Sequence, residues 1–201
     1  MRVDVNRNET TAAADLAFRF VSGHRALDLL STLANRHREP LERLRDPSDL
    51  DTWLAAAGLP VHAQATDRDL ADARLLRETV NRITRTALAS HAPAEDDLAE
   101  LNAWACRPAL APQADAALAR RWSGEPPVGA ALALLARDAI ELLTGPDLQL
   151  VRECAAAPSC SLLYVDRSRA HNRRWCEMER CGSRAKMTSY RRRRSALPPS
   201  G

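Results

Sequence analysis

Five cysteines are the residues of this chain best suited to chemistry. Four of them, Cys154, Cys160, Cys176 and Cys181, form a Cys-x5-Cys and a Cys-x4-Cys pair with fifteen residues between the pairs. Thiolates are soft ligands. Two short-range pairs, each on its own turn, close around one tetrahedral ion, which is the layout of a Cys₄ zinc site. Four thiolates leave no open coordination position for water, so one Zn²⁺ held this way is structural. The competing use of the same residues is a disulfide pair or redox switch. A reducing cytoplasm, the compartment expected here, favours metal. Cys106 has no cysteine or histidine nearby in sequence and reads as a small buried hydrophobe.

The surroundings of the four cysteines are basic. Residues 1–150 hold 17 Lys+Arg against 22 Asp+Glu, a net of −5, whereas residues 151–201 hold 12 against 4, a net of +8. The overall +3 therefore hides a segregated distribution. Four thiolates and one Zn²⁺ would still leave the C-terminal part at about +6, enough to attract a polyanion. A single lysine, Lys186, among 29 basic residues reflects a general preference for arginine. That preference does not explain the clustering at Arg191, Arg192, Arg193 and Arg194.

The elements that must position these groups are mostly helices. Residues 1–17 are polar with scattered charge, lack the apolar core of a secretory leader, and read as disordered. Nowhere does an apolar run approach the roughly 18–20 residues that span a bilayer. Apolar residues at helical spacing predict helices over Arg25–Arg36 (ended by Pro40), Pro47–Gly58, Asp67–His91 and Ala94–Ala105. A last one, Val128–Leu143, is opened by Pro127 and closed by Gly145-Pro146. Residues 107–125, rich in proline and small residues, read as a short hairpin or loop. The fold class is mainly α: a helical domain over 18–145, a connector over 146–153, a zinc-stapled ββα-like module over 154–194 and a disordered tail over 195–201. Within the module, Leu162-Leu163-Tyr164-Val165 reads as a strand leaving the first cysteine pair, with Arg173–Cys176 returning beside it. Cys181-Gly182 makes the second turn and Ser183–Arg194 a helix. So short a module needs the metal for much of its folding free energy. His171 is an alternative ligand, and Trp175 reads as module core more readily than as a base-stacking platform.

The block from Cys154 to Lys186 resembles the CGNR zinc finger. It contains Arg173-Arg174-Trp175-Cys176-x-Met178, and the signature run stands here as Cys181-Gly182-Ser183-Arg184. Ser183 replaces the family's Asn, and Ser161 stands where Gly usually follows the second cysteine; neither change removes a ligand. Upstream, Phe20-x-x-Gly23-x-x-Ala26-Leu27-Asp28-Leu29-Leu30-Ser31-Thr32 is similar to the opening of the ABATE domain. Glu42-Arg43-Leu44, Asp49-Leu50-x-x-Trp53-Leu54 and Ala136-Arg137-Asp138-Ala139 continue the match. Together the two resemblances imply a bacterial-type, stress-induced transcription regulator spanning nearly the whole chain.

The expectation is a zinc-dependent protein that binds double-stranded DNA, with Arg184, Lys186 and Arg191 to Arg194 as its nucleic-acid contacts. Its helical domain would sense a small-molecule effector or associate as a homodimer. Asp28 and Thr32, four apart on the first helix, are the candidate ligand pocket. Helix caps or buried hydrogen bonds are the plainer use of that pair. A zinc-stabilised module that binds protein is the rival reading. RNA binding is weaker, since few aromatics are on hand to stack bases. No nucleophile elbow, phosphate-cradling glycine loop or His-Glu-x-x-His is present, so no enzyme is expected.

Overall fold

Capping chemistry fixes the helix starts. Asp46 accepts from the backbone of Asp49 while the Asp49 carboxylate reaches back to the cap, and α2 (Pro47–Ala56) begins inside this box with proline in its first turn. Thr66 and Asp69 repeat the device for α3 (Asp67–Leu88). At the end of α2, Leu59 N–H bonds Leu54 O and Gly58 N–H bonds Ala55 O. This closure needs a left-handed residue, and Gly58 supplies it at φ 71°. The computed structural model describes residues 16–59, 61, 64–122 and 127–195; the expected disorder at 1–17 and 195–201 falls outside these except at residues 16, 17 and 195, and Ser195 is helical.

The first helix is shorter than its apolar stripe predicts. α1 (Arg25–Leu30) stops where the Ser31 and Thr32 hydroxyls donate to Asp28 O and Leu29 O, both at 2.7 Å. These side-chain bonds compete with a further helical turn. The chain then forms a two-residue ladder, β1 (Leu33–Ala34) against β2 (Leu41–Glu42), across a turn holding Asn35 at φ 53°. Pro40 thus belongs to a hairpin and does not terminate the helix.

α4 (Glu95–Ala105) and α5 (Val128–Thr144) follow the predicted spans closely. Between them β3 (Pro112–Ala114) pairs with β4 (Arg120–Trp122) in an exposed hairpin. Helices α3, α4 and α5 pack pairwise, α1 lies against α3 and α5, and α2 lies against α3. Their interior holds Leu27, Leu50, Trp53, Leu76, Ile83, Leu101, Trp104 and Leu132, each at most 2% exposed. Cys106, read as a buried hydrophobe, is exposed at the end of α4. Its partnerless sequence context gave no information on burial.

After a 3₁₀ turn (Pro146–Leu150), β5 (Val151–Glu153) pairs antiparallel with β6 (Leu163–Val165). The expected partner of the Leu163–Val165 strand was Arg173–Cys176; the observed partner lies in the stretch read as a connector. A three-residue Val-Arg-Glu segment is too short to show a strand period. Val151, Leu163 and Val165 belong to the same apolar cluster as the helices. The last described element is α6 (Ser183–Ser195), entered through a π-helical turn over Met178–Gly182. Among the described residues no helix is long and apolar enough to cross a membrane.

Candidate metal centre

The two cysteine pairs meet below β6. Cys154 follows β5 directly, and its N–H bonds Leu162 O at 3.0 Å, which brings the Cys160 turn back over the strand pair. Cys176 N–H points at Cys154 Sγ at 3.4 Å and joins the second pair to the first. Cys181 sits in the π turn, its N–H on Glu177 O. A Cβ at Gly182 would meet Met178 Sδ and stand 3.6 Å from Trp175 Cε3, so a larger residue there would push the half-exposed Met178 side chain aside.

All four sulfur atoms are buried and within 4.8 Å of one another. Cys160 and Cys176 Sγ are 3.8 Å apart, Cys176 and Cys181 Sγ 3.6 Å. These separations exceed the ~2.05 Å of a disulfide. Four sulfurs at about 2.3 Å from one tetrahedral Zn²⁺ would stand about 3.8 Å apart, so the donor set fits one zinc ion. The cluster around them is small: Leu162 and Tyr164, with Val21, Ala156 and Trp175 against it. Trp175 is half-buried in that packing. His171 lies away from the sulfurs, its Nδ1 2.9 Å from Asp166 O.

Sequence reasoning missed two residues that support this centre. Arg19, from the stretch before α1, places Nη2 3.7 Å from Cys176 Sγ and 2.7 Å from Glu177 Oε2. A guanidinium offsets part of the −2 charge of a zinc tetrathiolate and orients a ligand sulfur. Arg19 and Cys176 are 157 positions apart, and no local pattern signals their contact. Asp166 is fully buried and accepts from the N–H groups of Ser168 and Arg173 at 3.0 and 2.9 Å, shaping the loop between the two cysteine pairs. Its place two residues beyond Tyr164 in the family-like block was the only cue.

Further contacts tie the module to the helices. Ser161 Oγ, where glycine was the expected residue, accepts from Arg36 N at 3.1 Å. Arg85 donates to Ser161 O and pairs with Glu153. Val165 N–H bonds Ser22 O at 2.8 Å. The Ser183 hydroxyl donates weakly to Met178 O at 3.4 Å, back into the turn that precedes its helix.

The expected nucleic-acid contacts all fall on α6. Arg184, Lys186 and Arg191 to Arg194 are exposed there. Asp28 and Thr32 are buried and line neither the cleft beside Arg38 and Arg184 nor the one beside His24 and Asp138. Asp28 Oδ1 accepts from Ser22 N at 3.1 Å, and Thr32 Oγ1 accepts from Arg77 Nη1 at 3.0 Å. Burial pushes the Asp28 carboxyl up to about 6 from an ordinary 3.8. The folded chain therefore keeps a proton that the unfolded chain releases, and the ionised form costs roughly 3 kcal/mol above pH 7. That cost disappears as pH falls from about 6 to about 4. Asp28→Asn keeps an oxygen for Ser22 N–H, so it should stabilise the protein by about 1–3 kcal/mol at pH 7.5 and little at pH 4. Urea denaturation at the two pH values measures the difference; equal effects would show that Asp28 ionises freely in the folded state.

The fold and site define a zinc-finger protein whose finger is docked on a helical domain. Residues 23–146 match the family model ABATE, described as "Putative stress-induced transcription regulator", and residues 151–194 match the CGNR zinc finger. The chain belongs to the ABATE family and carries a C-terminal CGNR finger. No curated protein matches it.

Proposed function

We propose that this zinc-binding regulator binds double-stranded DNA through α6. The observation that carries the reading is the helix itself. It starts two residues after Cys181, contains six basic and no acidic residues, and is exposed almost throughout. Arg184, Lys186, Arg193 and Arg194 have no acidic side chain paired with them among the described residues. Thirteen residues give a rod of about 20 Å, and the major groove is about 12 Å wide. At 100° per residue, Arg184, Arg191 and Arg192 occupy one flank while Lys186 and Arg193 occupy the other. A helix in a groove meets phosphates on both sides, which this distribution suits. Zinc in this reading is structural: it fixes where α6 leaves the finger, and the activity is binding, not catalysis.

Affinity should fall steeply with salt, because each neutralised phosphate releases condensed counterions. Four contacts give a slope of log K against log salt of roughly −3.6. Arg193→Ala with Arg194→Ala should flatten it by about 1–2 while leaving zinc content intact. If the zinc-loaded protein binds no duplex at low salt, DNA is not the partner. Met187 and Tyr190, about half exposed one turn apart on α6, favour an acidic protein surface as the second reading. The same titration with no DNA response would move the assignment there.

A further inference from the structure

A cleft of about 910 Å³ separates the finger from the helical domain. One wall is the β1–β2 hairpin with Arg38; the other carries the Cys160 turn, Arg180 and Arg184. Five arginines line it against one carboxylate, Glu39, and two of the four zinc-ligating thiolates, Cys160 and Cys181. Arg43, only 4% exposed, is anchored by Nη1 on Ser31 O at 2.6 Å, and Arg19 is committed to Glu177. Arg38 and Arg184 both line the cleft, and their side chains have no ion pair or hydrogen bond among the described residues. The rest of the lining is apolar in large part, with Leu33, Ala34, Leu41 and Leu162.

From this lining we infer an effector site for an amphipathic organic anion: a carboxylate or phosphate head held between Arg38 and Arg184, with an apolar body on the leucines. Size, sign and polarity each narrow the class. The volume is that of a site for a small organic ligand, far larger than an inorganic ion needs. Cations concentrated in a low-dielectric recess attract an anion more strongly than the same cations on an open surface. An apolar floor contributes nothing to a fully hydrated ion and favours a hydrocarbon or ring. The inference deepens the regulator reading by giving it an effector site. Arg184 opens α6, so an anion bound there engages a residue that the DNA reading also uses, and occupancy and DNA affinity become linked.

The probe for the test is 8-anilinonaphthalene-1-sulfonate, a sulfonate on an apolar ring system, titrated by fluorescence into the full-length zinc-loaded protein. Saturation at one probe per chain is expected. Arg38→Glu should weaken it at least tenfold, and Arg68→Glu, a reversal at an exposed position outside the cleft, less than twofold. Decanoate should displace the probe, whereas decanol and inorganic phosphate at equal concentration should not. Equal binding by both variants, or none that saturates, would overturn the site. Displacement by phosphate alone would overturn the amphipathic class. Arg38 is not among the DNA contacts, so a duplex titration of Arg38→Glu reports separately on the DNA reading.

Discussion

Cys176→Ser should reduce zinc from one ion per chain to well below one after dialysis against a mild chelator, measured by elemental analysis. A serine hydroxyl does not ionise near neutral pH and cannot replace the thiolate. Supporting partners around a metal alone are worth 10–100-fold in affinity, so loss of a ligand should exceed about 100-fold. The structural consequence is confined by where the apolar residues lie. Among the described residues, the apolar cluster around the sulfurs holds two buried side chains besides the cysteines, Leu162 and Tyr164, with three partly buried neighbours. Without metal that set is too small to order residues 154–162 and 168–182. Val151, Leu163 and Val165 are held by the helical cluster, so β5 and β6 should persist. Hydrogen exchange should show protection lost across 154–162 and 168–182 and retained in α3, α5 and β6. Full zinc retention by the variant would contradict the Cys₄ assignment; global unfolding would show that metal holds the helical core as well.

A fragment ending at residue 147 should lose its cooperative melt, although the sequence reads as a separate helical domain over 18–145. Three buried aliphatic side chains, Val151, Leu163 and Val165, pack in the helical cluster, and α1 lies directly against β6. At about 1.5–3 kcal/mol each, their removal costs on the order of 5 kcal/mol before strand pairing is counted. That is comparable with the whole stability of many domains. Ser22 O also loses the Val165 N–H. A fragment ending at residue 168 keeps both strands and should melt cooperatively by circular dichroism. Cooperative melting of the 147-residue fragment near the full-length temperature would show that the helices need neither strand.

The metal centre was legible in the sequence because ligand chemistry is local and typed. A thiolate is specified by its residue and a knuckle by two cysteines a few positions apart, so Cys154, Cys160, Cys176 and Cys181 could be named together. Helices α2 to α5 were legible for a similar reason: their periods, capping boxes and Gly58 act within a few residues. Short strands lacked such a signal. Leu163–Val165 accepts any edge with free backbone groups, and only burial beside α1 selects Val151–Glu153 over Arg173–Cys176. The early end of α1 turned on whether the Ser31 and Thr32 hydroxyls bond backward, which the apolar stripe does not register. Asp28 and Thr32 carried the right chemistry for a pocket, yet Ser22 and Arg77, brought in by packing, occupy them. Arg19 beside Cys176, and the arginine-lined cleft between the β1–β2 hairpin and α6, exist only because the finger docks on the helices. Those contacts join residues more than a hundred positions apart, and a sequence holds no record of distance through space.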